Sequence, residues 1–237
     1  MTGDAPLILS ASSIKTWLRC GYQYLLSSVW QVPSAPNMAM IVGTATHAGV
    51  EAMHKGLAPV EATERAFRRE LASMPEPYEE DPSGALASAL AMVEMYQTKV
   101  APTFKPNLVE ASFIIAVGGV LFSGQIDAAD EDVRDLKTTA ALSGFRPESH
   151  RLQLTGYSLG YQFLTGRKPR RLLLDILTRN GKYKQAEVQP DVGEFMDVLG
   201  LTASAIMSGE FEPTGVSTGA CKWCPFYQRE CAYGVVD

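Results

Sequence analysis

Four cysteines set the tightest constraint on how this chain can fold. Cys20 stands near one end; Cys221, Cys224 and Cys231 stand near the other in a C-x2-C-x6-C run. Pairing them as disulfides needs an oxidising compartment. The N-terminal stretch MTGDAPLILSASSIKTW has no basic region leading into an apolar segment and a cleavage site, so it reads as mature, cytoplasmic sequence. Four thiolates instead suffice for a zinc site or for a cubane iron–sulfur cluster, and their spacing alone does not choose between the two. Either would close nearly the whole chain into one loop and remove several kcal/mol of loop entropy from the unfolded state, by analogy with a disulfide. The expected role is a structural staple.

Between these ends the hydrophobic pattern changes once, at Pro106. Before it the spacing is helical: residues 10–30 behind an early serine cap with a break near Gly21, then 43–56, 59–72 and 85–100. The third-quoted helix carries Arg65, Arg68 and Arg69 on one face, and SMPEPYEEDPSG after it reads as a surface loop. After Pro106, NLVEASFIIAV, GVLFSGQIDAADED and VRDLKTT have strand composition and are separated by glycine and acidic turns, which predicts a three-strand antiparallel meander. A helix over 147–165, a buried strand in RRLLLDILTR and a helix over 190–209 follow. The order fits an α/β core with an N-terminal helical cap. The segments divide as about 1–105 helical, 106–210 core and 211–237 cysteine-bearing, within a single domain of 237 residues. No apolar run approaches the roughly 18 residues of a membrane span.

Two of the strands end in acids. Asp127 closes SGQID, and Asp135 and Lys137 alternate within VRDLKTT. Residues two apart on a strand share a face, so Asp135 and Lys137 can look into one pocket, and Asp127 can join them from a neighbouring strand. Carboxylates gather Mg²⁺ or Mn²⁺, and an ammonium beside them can orient a water or offset developing negative charge; phosphodiester hydrolysis needs both. A D-x-K triplet alone is also what a solvated edge strand carries. The net charge of −5 argues against a nonspecific basic coat for nucleic acid, but bound divalent ions supply positive charge locally.

SGQIDAADEDVRDLKTT resembles the G-x-x-D … D-x-K-T signature of the RecB-like branch of the PD-(D/E)XK nuclease superfamily. GTATH, ending at His47, resembles that family's G-x-x-x-H motif, and QLTGY, with Gln153 and Tyr157, its Q-x-x-x-Y motif. One cysteine before the core and three after it resemble the cluster-bearing, CRISPR-associated exonucleases of that branch. The resemblance runs from Cys20 to Cys231 and implies a restriction-endonuclease-like mixed sheet flanked by helices, with a C-terminal cluster-binding segment. It implies metal ligation by His47, Asp127, Asp135 and the Leu136 carbonyl, with Lys137 catalytic. It implies that Gln153 and Tyr157 approach DNA or brace the lysine, which their i, i+4 spacing allows. Glu51 and Glu110 are the nearest other acids; either can add a metal contact, and both are left outside the main set. The cofactors implied are Mg²⁺ or Mn²⁺ and a 4Fe-4S cluster held by Cys20, Cys221, Cys224 and Cys231.

The activity implied is a single-strand-preferring DNA exonuclease in end processing, recombination or repair, in a phage or CRISPR-linked setting. Its partners are DNA with free ends and a helicase, recombinase or integrase complex, with no membrane. The alternative is a DNA-end-binding adaptor with a structural cluster and little or no cleavage. Candidate phosphate contacts include Arg65, Arg68, Arg69, Arg146, Arg151, Lys182, Lys184 and the GRKPRR run; Phe145, Tyr157 and Tyr161 are candidate stacking surfaces for bases.

Overall fold

The structure, a computed structural model, describes residues 6–231 and 233. Met1 to Ala5, the start of the N-terminal stretch discussed above, and the last residues of the cysteine segment lie outside the described residues. In chain order the elements are β1 (Ile8–Ser10), α1 (Ala11–Arg19), α2 (Gly21–Tyr24), α3 (Met38–His54), α4 (Pro59–Leu71), α5 (Pro82–Lys99), β2 (Leu108–Val117), β3 (Val120–Ala129), β4 (Val133–Thr139), α6 (Arg151–Thr165), β5 (Leu172–Thr178), β6 (Tyr183–Glu187) and α7 (Val192–Met207). The six strands form one mixed sheet in the order β1-β3-β4-β5-β6, with β2 also on β3, and helices flank it. No helix among the described residues is long and apolar enough to cross a membrane.

The chain divides into two compact units: Met1–Ser34 with Phe113–Gly124 and Asp191–Asp237, and Ala35–Ser112 with Gln125–Pro190. In the first, β1 runs parallel to β3, with Ile8 opposite Leu121 and Ser10 opposite Ser123. Ser10 then caps α1 through a reciprocal pair of bonds with Ser13. The helix expected over 10–30 is therefore shorter. Its first residue belongs to a strand, and the break falls at Cys20, which is extended between α1 and α2. Gly21 is required just after it, because a Cβ there would lie 3.1 Å from the Phe211 backbone. Phe122 packs against Phe113 and edge-on against Phe195, anchoring α7 on β3.

In the second unit, β4 lies between an antiparallel β3 and a parallel β5. β5 is buried along its whole length, as a central strand covered on both faces must be. Its one acid, Asp175, accepts from Arg134 of β4 (3.2 Å) and from Tyr183 (2.8 Å) and Gln185 (3.0 Å) of β6. A buried carboxylate is tolerable only with such partners, and here it ties three strands together. The Arg134 guanidinium also lies 4.0 Å over the Phe104 ring. Helices α3, α4 and α5 pack their apolar faces, including Ile41, Phe67 and Met92, onto Leu136 and Leu177. The meander expected from the sequence is present as β2, β3 and β4; β1 and β6 were not expected.

Candidate active site

The site forms where the β3–β4 ladder stops. Ala129 pairs with Val133 and Ala128 with Arg134. One residue further, Asp127 and Asp135 stand opposite each other, and there a side chain takes over from the backbone: Asp127 Oδ2 accepts the Leu136 N–H at 2.7 Å. That bond fixes the carboxylate and satisfies a strand N–H. His47 reaches it from α3, with Nδ1 3.6 Å from Asp127 Oδ2. Gly43, one turn earlier, lets α3 come this close: a Cβ there would sit 3.1 Å from Thr138 Oγ1 on β4. The glycine and histidine of GTATH thus act together, one setting the distance and the other using it.

Glu110 on β2 completes a group. Ligand atoms of His47, Glu110 and Asp127 all lie within 4.8 Å of one another, and among the described residues no other three potential ligands do so. Two carboxylates and an imidazole are a donor set suited to a small divalent cation. The sequence reading left Glu110 aside. Its backbone is left-handed, with φ 49°, and the Gln125 side chain donates to its carbonyl. Burial, then the charges of Asp127 and Glu51, push its carboxyl up to about 8, with Lys55 opposing. These acids crowd one another, and a cation would relieve that repulsion.

Asp135 is buried and engaged differently. Lys137 Nζ lies 2.7 Å from its Oδ2, and Gln153 Nε2 donates to its Oδ1 at 3.0 Å. Burial raises the Asp135 carboxyl while the Lys137 ammonium counters it. Gln153 donates its second N–H to the Tyr157 hydroxyl, also at 3.0 Å. Burial and then the Asp135 charge raise the Tyr157 phenol, so it stays protonated. Gln153 therefore holds the acid of the Asp135–Lys137 pair.

Other sequence candidates divide. The Tyr161 hydroxyl donates to the Asp130 carbonyl and its ring is buried, so it is a core residue and offers no face to a base. Arg170 and Arg171 both grip Asp132, which they hold well below the usual carboxylate range. Phe145 stacks on His150, with ring centres 5.2 Å apart. The four cysteines are all free thiols and line one cavity together with Tyr22 and Tyr233. Their sulfurs do not gather at metal-ligand spacing: no three lie within 4.8 Å of one another. Burial pushes the Cys221 and Cys224 thiols up.

Fold and site together define a nuclease class. The PD-(D/E)XK nuclease superfamily profile matches residues 8–231, and the chain belongs to that superfamily. Among solved structures, a candidate exonuclease from Eubacterium rectale superposes with a TM-score of 0.63 at 12% identity, over 87% of this chain and 83% of that one. The protein SSO0001 superposes with a TM-score of 0.52 at 17% identity, over 99% of this chain and 90% of that one. At those identities the two show a common fold. A comparison with curated protein sequences returned no match.

Proposed function

We propose that this chain is a Mg²⁺- or Mn²⁺-dependent deoxyribonuclease that works from DNA ends and prefers single strands. The observation that carries the reading is the convergence of His47, Glu110 and Asp127 next to the Asp135–Lys137 pair. His47, Glu110 and Asp127 would hold the ion, with Asp135 and the Leu136 carbonyl as further ligands. Such an ion polarises a phosphate oxygen and acidifies a bound water. The chain's own groups do the remainder. The Leu136 N–H fixes Asp127, Gln153 fixes Asp135, and the Lys137 ammonium offsets charge that builds on the phosphate.

Cys20, Cys221, Cys224 and Cys231 are the residues that would hold a 4Fe-4S cluster. Their common cavity and free thiols support this. The cluster would act as a staple. End processing in recombination or repair, in the cytoplasm and beside a helicase, recombinase or integrase complex, suits a small nuclease of this kind, whether phage-encoded or CRISPR-linked. The test compares end-labelled linear and circular single strands in Mg²⁺ or Mn²⁺. Linear strands should be degraded and circles spared; equal cutting of both removes the exonuclease reading, and no metal-dependent cutting of either removes the nuclease.

A further inference from the structure

Helices α3 and α4 pack very closely. A Cβ on Gly49 would lie 2.2 Å from Thr63 Oγ1. Above this contact runs a surface groove of about 610 Å³. Its floor is alanine: Ala52 of α3 and Ala62 and Ala66 of α4 line it and are buried. Its banks are charged: Lys55, Arg65 and Arg69 against two acids, Glu51 and Glu61. Arginine is thus concentrated on the α4 bank of a chain whose net charge is −5.

The cations are not equally available. Lys55 pairs with Glu51, and Arg69 with Glu70 at 2.8 Å. Arg65 makes no ion pair among the described residues, and it is exposed. Arg65 and Arg69 are one turn apart, so both project from the same bank. The groove also has a direction. Glu51, on its α3 bank, is one turn beyond His47, and Glu51 and Lys55 both act electrostatically on Glu110. Glu51 and Lys55 thus lie one and two turns beyond His47 on the same face of α3, and this bank leads toward the metal-ligand triad. An alanine floor flanked by arginines suits a single strand, whose unpaired bases and sugars can lie on apolar surface while its phosphates meet the cations.

We infer that the α3–α4 groove carries a single strand of nucleic acid to or from the His47–Glu110–Asp127 triad, with Arg65 and Arg69 on its phosphates and the alanine floor beneath its sugars and bases. This rests on the nuclease reading and names the path of its substrate.

The probe is a fluorescein-labelled oligothymidylate in Ca²⁺, with anisotropy read across a salt series. Each phosphate contact on a single strand contributes about 0.7 to the slope of log affinity against log salt. Arg65→Ala combined with Arg69→Ala should lower the slope by about 1.4. Arg65→Lys with Arg69→Lys should keep it. A wild-type slope in the double alanine variant, with metal-dependent DNA cutting intact, overturns the groove and leaves the nuclease standing. So does tighter binding of a blunt duplex than of the oligothymidylate. A wild type that neither binds nor cuts any nucleic acid overturns the nuclease reading itself.

Discussion

The two candidate ligand sites of this chain are prepared to very different degrees. In the unit that contains β4, two acids of the site are held by the protein: Asp127 by a strand N–H, Asp135 by Lys137 and Gln153. In the unit that contains the cysteines, the four thiols share a cavity but no three sulfurs approach within 4.8 Å. Short 3₁₀ turns carry Cys221 and lead into Cys224, and Cys20 sits in a one-residue break between two helices. On the reading proposed above, the first site is shaped by its fold and would use an ion for chemistry. The second is shaped by chain path and would use a ligand for cohesion, because burial disfavours the Cys221 and Cys224 thiolates until a metal supplies the opposing charge.

The largest effect should separate the two sites most sharply. Asp127→Asn, which keeps an oxygen for the Leu136 N–H, should lower DNA cleavage by about 10³-fold or more while DNA binding in Ca²⁺ and thermal stability stay near wild type. A comparable loss of stability would mean that the acids are structural. Cys231→Ser should do the reverse. By analogy with loss of a native disulfide it should cost about 2–5 kcal/mol in denaturant unfolding, together with any absorbance near 400 nm. Colourless wild-type protein containing stoichiometric zinc would replace the cluster with zinc. Glu110→Gln should weaken Mn²⁺ binding by about 10–100-fold in calorimetric titration, since it removes a carboxylate from a three-member set.

Smaller effects probe how the fold prepares the site. Gln153→Ala takes away the donor to Asp135 Oδ1 and should lower kcat about 10-fold with KM nearly unchanged. Gly43→Ala should cost about 1–3 kcal/mol of stability, because the added methyl must push α3 away from Thr138; metal affinity should fall with it as His47 withdraws. Metal affinity untouched by Gly43→Ala would show that His47 does not depend on that close approach.

The contrast also explains what the sequence made legible. β2, β3 and β4 were readable because each has strand composition and is bounded by glycine or acidic turns. β1 was hidden because three residues carry no period, and its last residue doubles as the cap of α1. β6 was hidden because YKQAE is mostly polar, as an edge strand can be; its Tyr183 and Gln185 have meaning only through the buried Asp175 on the neighbouring strand. Within the site, D-x-K gave the shared face of Asp135 and Lys137. It could not give Glu110, which enters from another strand in a left-handed conformation that no local pattern marks. Nor could spacing reveal that Gln153 braces the acid rather than the lysine, since that depends on where β3 and β4 part. The basic run at 167–171 read as a solvated turn or a phosphate surface, and neither reading showed that Arg170 and Arg171 have a buried aspartate to hold.

Anomalous diffraction from crystals grown with Mn²⁺ addresses the metal directly. A manganese peak bounded by His47, Glu110 and Asp127, and lost in Asp127→Ala crystals, is the predicted result. Manganese bound elsewhere, or a peak that survives Asp127→Ala, would contradict it.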